Sequence, residues 1–188
     1  MNDQLFEEKK RLRRKILDER RAMDARAVSE KSDVICEKLI REPAIAECDK
    51  ICLYMPINNE VDVTLLVDRL RSLGKTLYIP KIGGHNMHFH KYEEDTELSP
   101  GSFGIPEPVD SEMLVADEKT LIVMPGAVFS RDRDRIGYGG GYYDRYINKH
   151  SDAKAIAVCY EFQVLEQVPA GKNDMRPGKL ITEENIYD

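Results

Sequence analysis

Apolar segments at regular intervals along the chain predict buried β-strands. Residues 120–125 ("TLIVMP") have the continuous apolar character of a strand covered on both faces of a sheet, and residues 153–160 ("AKAIAVCY") predict another buried strand. Shorter runs predict strands at 51–56 ("ICLYMP"), 76–82 ("TLYIPKI"), 87–92 ("MHFHKY") and 179–182 ("KLIT"). The proline- and glycine-rich residues 99–108 ("SPGSFGIPEP") are expected to form a loop.

Segments with helical spacing separate these strands. Apolar residues recur at helical intervals near the N-terminus and predict an amphipathic helix there: Leu5, Leu12, Ile16 and Met23. Further helices are expected at 25–40 after Asp24, at 63–73 between Asp62 and Gly74, and near 142–150. Because helices alternate with apolar strands, we predict a single α/β domain over residues 1–188 with Rossmann-like topology. It would have three αβα layers and a mostly parallel sheet.

Two loops are candidates for a shared ligand site. In α/β folds of this kind, ligands bind beyond the carboxyl ends of the parallel strands. Residues 57–62 ("INNEVD") and 135–144 ("RIGYGGGYYD") both follow predicted strands in this sense. We therefore expect these two loops to face one cleft.

The composition is typical of a water-soluble globular protein, with 41% hydrophobic and 33% charged residues among 188. No apolar stretch approaches a membrane span, and the start "MNDQLFEEKKRLRRK" lacks the apolar core of a signal peptide. We therefore expect a cytoplasmic protein, with a monomer favoured and no membrane partner. Cys36, Cys48, Cys52 and Cys159 form no CxxC pair and no pattern typical of a secreted protein, and Cys48 and Cys52 are expected to behave as small hydrophobic residues.

The charge is unevenly distributed. The formal net charge of −6 argues against a general nucleic-acid binder. Basic residues nevertheless crowd the N-terminal helix: Lys9, Lys10, Arg11, Arg13, Arg14, Lys15, Arg20 and Arg21. This basic face is either simply solvated, as charge runs usually are, or carries cations to an anionic ligand held elsewhere in the fold.

The stretch "RIGYGGGYYDR" at 135–145 concentrates four glycines and three tyrosines among charged residues. Glycine lets a backbone approach a ligand closely, and a glycine-rich turn that leads into a helix directs N–H groups towards phosphate. Arginine binds phosphate oxygens and aspartate binds Mg²⁺, so the flanking charges suit a phosphate–metal site. They favour such a site over a loop with a conformational requirement alone.

Two better-known phosphate signatures do not fit the chain. The only Gly-Lys-Thr sequence, at 74–76, has Arg69 where a Walker A loop needs glycine, and it leads from a helix into a strand. The dinucleotide fingerprint that would start at Gly137 has Tyr142 in its last glycine position. Neither loop would hold a nucleotide here.

The sequence gives little support for a histidine metal site or for a nucleophilic serine. His88 and His90 share one face of a predicted strand, but no third ligand is nearby, so we expect no metal there. Ser130 lies in no G-x-S-x-G elbow. No side chain is assigned as a general acid or base.

Three segments in order resemble the 5-formyltetrahydrofolate cyclo-ligase family, also called methenyltetrahydrofolate synthetases. They are the basic "KKRLR" at 9–13, "MPINNEVD" at 55–62 and "PGAVFSRDRDRIGYGGGYYDR" at 125–145. The resemblance continues through "GSFGIPEP", Gln163 and the ending "NDM…LIT", and so covers nearly the whole chain. The glycine–tyrosine block is its specific part.

The resemblance implies an ATP- and Mg²⁺-dependent conversion of 5-formyltetrahydrofolate to 5,10-methenyltetrahydrofolate, with release of ADP and phosphate. It implies that ATP activates the formyl oxygen by phosphoryl transfer, after which the neighbouring amine closes the ring. Such transfer depends mostly on positioning and charge stabilisation.

The resemblance also assigns residues to each ligand. For ATP it implies Lys9, Lys10, Arg11, Leu12 and Arg13, with Lys9 and Arg13 on the phosphates, together with Arg135, Ile136, Gly137, Tyr138, Gly139, Gly140, Gly141, Tyr142 and Tyr143. For folate it implies Met55, Glu60 and the segment from Tyr138 to Tyr142, with Phe103 beside the pterin. Asp144 and Asp174 resemble the two Mg²⁺ ligands.

Three positions depart from the family pattern. Ser130 stands where many relatives have aspartate, Arg133 where they have glycine, and Gly178 where a second acid follows "NDMRP". None of these is an assigned site residue.

Two rival functions remain open from the sequence. A nucleotide or RNA binder that uses the basic helix predicts salt-sensitive RNA affinity and no ATP consumption. A sugar-phosphate isomerase on a similar sheet predicts turnover without ATP.

Overall fold

A computed structural model describes residues 3–171 and 174–188, so Asn173 of the "NDM" motif lies outside the described residues. The helices are α1 (Asp3–Arg21), α2 (Ala25–Leu39), α3 (Pro43–Glu47), α4 (Val67–Ser72) and α5 (Tyr142–Lys149), and 3-10 turns span Val63–Leu66, Ser102–Gly104 and Glu161–Gln163. Asp24 caps α2 as expected, since its carboxylate accepts a hydrogen bond from the N–H of Ala27 at 2.8 Å.

The main sheet is mostly parallel, as predicted. The strands are β1 (Lys50–Cys52), β2 (Thr76–Gly83), β3 (Asn86–Lys91), β4 (Leu98–Pro100), β5 (Pro106–Pro108), β6 (Thr120–Met124), β7 (Val128–Ser130), β8 (Arg135–Ile136), β9 (Lys154–Val158), β10 (Val164–Leu165), β11 (Lys179–Ile181) and β12 (Ile186–Tyr187). Among the described residues, seven of them form one sheet in the order β12-β11-β9-β6-β1-β2-β3. The strands from β11 to β2 are parallel, and the edge strands β12 and β3 pair antiparallel.

This order is doubly wound. From β1 the chain adds β2 on one side, then returns to add β6, β9 and β11 on the other side. The direction of winding therefore reverses between β1 and β6, as in Rossmann-like sheets. The crevice beside that reversal, at the carboxyl ends of the strands, is where such sheets bind ligands.

The buried strands separate two cores. In β6, Leu121 and Val123 pack into a cluster that includes residues of α2, while Ile122 and Met124 face a second cluster that includes residues of α5. Because successive strand residues point to opposite faces, helices cover both faces of the sheet. The predicted three-layer αβα arrangement is therefore confirmed.

The cysteines contribute to these cores, as predicted for Cys48 and Cys52. Cys36, Cys48, Cys52 and Cys159 are buried and unpaired. Burial raises the pKa of the Cys36 thiol to about 12 and raises those of the others as well, so they stay protonated. Within the described ranges, no helix has the length and hydropathy needed to cross a membrane.

The structure departs from the sequence-based prediction mainly between the long elements. Of the predicted strand 51–56 only Ile51 and Cys52 are strand, and the last ladder-like hydrogen bond runs from the N–H of Leu53 to the carbonyl of Tyr78 at 2.9 Å. The expected loop at 99–108 is instead the hairpin β4–β5. The short helix α3 and a small sheet in the order β10-β7-β8 were not predicted.

Two of the family departures lie in the turn between β7 and β8. Arg133 has φ of 67°, a left-handed conformation that favours glycine, which fits the glycine that many relatives carry there. The hydroxyl of Ser130 accepts a hydrogen bond from the N–H of Asp134 at 3.0 Å and closes the same turn. This turn leads directly into the glycine–tyrosine loop.

Candidate active site

A cleft of about 570 Å³ opens at the carboxyl edge of the sheet. Met55, which follows β1, and Pro125, which follows β6, both line it, so it lies at the point where the strand order reverses. Residues from the segments 57–62 and 135–144 contribute to its wall together. The expectation that these two loops face one cleft is confirmed.

The glycines of the 135–144 loop occupy positions that side chains would obstruct. Gly139 and Gly141 have φ of 104° and 64°, where only glycine is unstrained. A Cβ at Gly137 would lie 2.7 Å from the Nη1 atom of Arg135, closer than the two can approach. The loop thus packs its backbone against a guanidinium and then enters the N-terminus of α5, a geometry that suits an anion.

Helix α1 brings two cations to this loop. Arg13 donates from Nε to the carbonyl of Gly137 at 2.7 Å. Lys9, one turn earlier, forms an ion pair with Asp174. Since residues four apart share one helix face, α1 presents both cations to the same side.

The two aspartates expected to bind metal are each paired with a cation. Asp144 accepts hydrogen bonds at Oδ1 from Nη2 of Arg135 at 2.8 Å and from the N–H of Met175 at 2.9 Å. Asp174 accepts at Oδ2 from Lys9 and from the N–H of Gly171 at 2.6 Å. Among the described residues, nothing donates to Oδ2 of Asp144 or to Oδ1 of Asp174. Each carboxylate therefore keeps one oxygen for another ligand.

We call Lys9, Arg13, Arg135, Asp144 and Asp174 the cation end of the cleft. A second group, Arg20, Glu60 and Tyr138, is called the Glu60 end. A helix rises about 1.5 Å per residue, so Lys9 and Arg20 lie roughly 16 Å apart along α1. Arg13 lies between these two positions, and the carbonyl it contacts, that of Gly137, precedes Tyr138, so the two ends adjoin along the glycine–tyrosine loop.

The carboxylate of Glu60 is buried, with 5% of the residue exposed. Its Oε1 accepts from the Tyr138 hydroxyl and lies 3.8 Å from Nη1 of Arg20, and its Oε2 accepts from the N–H of Ile57 at 2.9 Å. Burial raises the pKa of Glu60, while the Arg20 charge and the two hydrogen bonds oppose that rise. Although 41% of Tyr138 is exposed at the cleft surface, its hydroxyl is held inside by this pair.

The β4–β5 hairpin forms part of the rim. Phe103 at its tip is 76% exposed with φ of 59° and lines the cleft. The hairpin is closed by the buried Glu107, whose carboxylate accepts from the N–H of Ser102 at 3.0 Å. The hairpin therefore offers an aromatic surface to the cleft from a structured support.

Most residues assigned by resemblance line this one cleft: Lys9, Arg13, Met55, Glu60, Phe103, residues 135–144 and Asp174. Three assigned residues do not line it. Lys10 and Arg11 are exposed on the outer side of α1, and Leu12 packs against a core cluster beneath the helix.

Arg20 and Glu107 are polar residues of this region that sequence reasoning did not single out. Arg20 was counted only as one member of a basic run. A signal was nevertheless present, because positions 9, 13, 16 and 20 follow the 4-3-4 spacing of one helical stripe. The buried Ile16 lies on that stripe, which marks it as the inward face.

No set of three or more His, Cys, Asp or Glu residues that could hold a metal ion occurs within residues 3–171 and 174–188. Of the two strand histidines, His90 has its Nδ1 atom 2.9 Å from the carbonyl oxygen of Ser111. Asp144 and Asp174 are the two acids that line the cation end of the cleft.

Comparison with known proteins decides the family. Residues 6–183 match the model of the 5-formyltetrahydrofolate cyclo-ligase family. The chain belongs to this family. Its cyclo-ligase motifs are the segments that meet in the cleft: the N-terminal basic stretch, the segment after β1 and the glycine–tyrosine loop.

Individual cyclo-ligase relatives agree with the family match. The chain is 32% identical over 177 residues to a probable 5-formyltetrahydrofolate cyclo-ligase of Schizosaccharomyces pombe, covering 85% of this chain and 87% of the relative. The NMR structure of Aquifex aeolicus 5,10-methenyltetrahydrofolate synthetase superimposes with a TM-score of 0.84 and 34% identity, covering 95% of this chain and 91% of that one. A Mycoplasma pneumoniae 5,10-methenyltetrahydrofolate synthetase gives a TM-score of 0.75 at 25% identity, over 93% and 98% of the two chains.

Proposed function

We propose that this protein converts 5-formyltetrahydrofolate to 5,10-methenyltetrahydrofolate and consumes ATP, with release of ADP and phosphate. One observation carries the proposal: in a chain of this family, the glycine–tyrosine loop shares one cleft with two cations of α1 and a buried glutamate. The two ends of that cleft differ in chemistry, and each suits one substrate.

The cation end is assigned to the ATP phosphates. Lys9, Arg13 and Arg135 supply positive charge, and the backbone of residues 137–141 supplies N–H donors close to them. Two of these cations pair with aspartates, and anionic phosphates compete for the same groups. Phosphoryl transfer needs this kind of positioning and charge stabilisation.

The Glu60 end is assigned to the folate. A carboxylate accepts hydrogen bonds from two neighbouring donors, and a reduced pterin presents such donors along its ring nitrogens and amino group. Met55 and Phe103 line the same cleft and offer apolar and aromatic contacts to a flat ring.

The cation end also fits Mg²⁺. Asp144 and Asp174 would hold the ion through the oxygens that take no hydrogen bond from the described part of the chain. Mg²⁺ commonly uses one or two carboxylates and keeps water and phosphate oxygens for the rest, so a third acid is not required. When bound, the ion would neutralise charge on the phosphates.

The reaction follows from these placements. Transfer of the γ-phosphoryl group forms a P–O bond to the formyl oxygen and breaks the bond to ADP. The neighbouring amine attacks the activated formyl carbon, the C–O bond to phosphate breaks, and the amine loses its proton as the ring closes. The protein's part is to hold the two substrates in line and to stabilise the phosphoryl charge.

The test follows methenyltetrahydrofolate by its absorbance, with 5-formyltetrahydrofolate present and with ATP and Mg²⁺ added or withheld. We expect product only when ATP is present, and faster with Mg²⁺. Product formation without ATP, or none in its presence, would refute the proposal. Salt-sensitive RNA affinity without ATP consumption would support the binding-protein alternative instead.

We further propose that the protein acts in the cytoplasm as a monomer, on small molecules and without nucleic-acid or membrane partners. The formal net charge of −6 and the composition support this. Sedimentation of the purified chain tests the monomer.

A further inference from the structure

The guanidinium of Arg20 is a buried charge for which the proposed reaction gives no direct role. The residue is 1% exposed, although it belongs to a helix whose other arginines mostly face solvent. It does not itself line the cleft. Burying a charge is costly unless it is paired and hydrogen-bonded, so its partners indicate its purpose.

Arg20 contacts both loops that form the cleft. Its Nη1 donates to the hydroxyl of Tyr138 at 2.8 Å and lies 3.8 Å from Oε1 of Glu60. Its Nε donates to the carbonyl of Asn58 at 3.0 Å, and its guanidinium carbon lies 5.6 Å from the centre of the Tyr138 ring. One side chain therefore fixes the segment after β1, the glycine–tyrosine loop and the carboxylate between them.

The end of α1 is itself tied to the same segment. The side-chain amide of Asn59 donates to the carbonyls of Arg20, Arg21 and Met23 at 3.1, 3.3 and 3.0 Å. These carbonyls lie at or just beyond the helix end, where intrahelical donors run out. Asn59 holds φ of 59°, which asparagine tolerates better than most residues. The end of α1, which carries Arg20, is therefore hydrogen-bonded to Asn59, the residue that precedes Glu60.

We propose that Arg20 is a positioning residue of the folate subsite: it holds the Glu60 carboxylate in its charged form and aligns it, with the Tyr138 hydroxyl, towards the bound folate. This inference rests on the proposed function, because it takes Glu60 as the group that faces the folate. Arg20 acts through Glu60 and does not contact substrate.

The other titratable groups around Glu60 do not replace this charge. Among the described residues, the titratable side chains that act on Glu60 are Arg20 from α1, Tyr138 from the glycine–tyrosine loop, Tyr54 after β1 and Tyr143 in α5. Burial raises the pKa of all three tyrosines above their usual value, so they stay neutral between about pH 6 and 9. Without Arg20, the buried carboxyl would therefore retain its proton to higher pH.

The experiment measures kcat and KM for both substrates across pH in four proteins: wild type, Arg20→Gln, Arg20→Lys and Arg14→Gln. Arg14 lies on the same helix with 87% of its side chain exposed, and serves as the matched control. At neutral pH we expect Arg20→Gln to raise the KM for 5-formyltetrahydrofolate about ten- to a hundredfold, with the KM for ATP unchanged. The rising limb of kcat/KM should move to higher pH, so that the loss relative to wild type shrinks as the assay pH is raised.

The conservative variant separates charge from shape. Lysine keeps the positive charge but lacks the planar guanidinium group. Arg20→Lys should therefore keep the wild-type pH dependence of kcat/KM and show a smaller rise in the KM for 5-formyltetrahydrofolate than Arg20→Gln. Arg14→Gln should match wild type throughout.

A pH-independent loss in Arg20→Gln, or an equal rise in both KM values, would overturn the inference and leave Arg20 as a purely structural residue. If thermal melts show that Arg20→Gln does not fold, Arg20→Lys carries the test, and a wild-type KM there overturns it. Failure of the proposed function looks different, because the wild type itself would then not turn over. In that case calorimetric affinity for 5-formyltetrahydrofolate over the same pH series provides the same comparison.

Discussion

The two ends of the cleft hold charge in different ways. At the cation end the ion pairs are within reach of solvent: the side chains of Lys9 and Asp174 are 12% and 26% exposed, and that of Asp144 is 21% exposed. At the Glu60 end the side chains of Arg20 and Glu60 are 2% and 4% exposed. Arg135 is the buried member of the first end, with 3% of its side chain exposed. The acids of the first end are thus open to solvent, whereas the charged pair of the second end is not.

This difference decides what each end can do when a ligand arrives. At the cation end the acid of each ion pair is partly exposed, so phosphate or a metal ion can reach it, and exchanging its partner should cost less than at a pair buried on both sides. A buried pair strongly resists separation, since each charge would lose its compensation in a poorly solvated place. We therefore expect ATP to rearrange the cation end, and the folate to meet a Glu60 end that is already in place.

The largest effect should come from Asp144→Asn. If Asp144 binds Mg²⁺, the substitution removes a charge from the ion's ligands, and turnover should fall on the order of a hundredfold. Asparagine can still accept at Oδ1 from Arg135 and Met175, so the fold should persist. Added Mg²⁺ should recover part of the activity by mass action, which a Mg²⁺ titration measures.

Asp134→Asn is the matched control for that change. Asp134 also pairs with an arginine, Arg176, and its side chain is likewise 21% exposed, but it lies outside the cleft. Both variants should melt within a few degrees of wild type. A folded Asp144→Asn protein with normal turnover and an unchanged Mg²⁺ optimum would refute the metal assignment.

Next in size are Lys9→Ala and Arg13→Ala. Each removes a charge-assisted interaction of about 1.5–3 kcal/mol, so the KM for ATP should rise roughly ten- to a hundredfold. The KM for 5-formyltetrahydrofolate should change far less, because Lys9 and Arg13 are assigned to ATP and the folate is assigned to the Glu60 end. Lys15→Ala, an exposed lysine of the same helix, is the control for net charge. Unchanged ATP affinity in both variants would mean that the basic face of α1 is simply solvated and does not bind ATP.

Glu60→Gln should reverse this selectivity, with about a tenfold rise in the KM for 5-formyltetrahydrofolate and ATP little affected. An amide offers one acceptor and one mismatched donor where the carboxylate accepts twice. Equal damage to both substrates would mean that Glu60 supports the fold or the metal.

The same variant gives a stability signature. Burial raises the pKa of Glu60, so folding favours its protonated form. That contribution is fully present below the unfolded value of about 4.3 and is lost as pH rises through the raised folded value. Wild type should therefore lose stability relative to Glu60→Gln as pH rises above the unfolded carboxyl value, as paired melts would measure. A constant difference would mean that Arg20 fully compensates the burial.

The smallest effect should come from Arg133→Gly, in a turn away from both ends. A left-handed conformation costs an L-residue about 1 kcal/mol, and glycine's greater freedom in the unfolded chain offsets roughly half of that. A net gain of about 0.5 kcal/mol corresponds to a rise of roughly 1–2 °C in Tm. Kinetic constants should stay at wild-type values, and a change in either KM would show that this turn positions the loop that follows it.

The layers of the fold could be predicted from sequence because each strand and helix carries its own local pattern. Apolar runs at 121–124 and 155–158 predict strands that are buried on both faces, and the strands Thr120–Met124 and Lys154–Val158 contain these runs. The hairpin Leu98–Pro100 with Pro106–Pro108 could not be predicted in this way. Its prolines and glycine suggest a loop, while its closure depends on the Glu107 carboxylate reaching the N–H of Ser102.

The site was predictable where chemistry is concentrated in sequence and unpredictable where it depends on burial. The glycine–tyrosine loop can be recognised from its own sequence, and it lines the cleft. Arg20 looks like any other member of a basic run, and only its packing against Glu60 and Tyr138 distinguishes it. Composition cannot reveal which arginine of a run is desolvated, although the helical stripe through Lys9, Arg13 and Ile16 points inward.

Helix α1 is fastened unequally along its length. Its last turn is held by the side chain of Asn59 and by the buried guanidinium of Arg20, whereas the polar contact of its first turns among the described residues is the ion pair of Lys9 with Asp174. Amide hydrogens near Asp3 should therefore exchange with solvent faster than those near Arg20. ATP should slow exchange mainly in the first half of the helix, so that nucleotide occupancy can be followed as a protection gradient along a single helix.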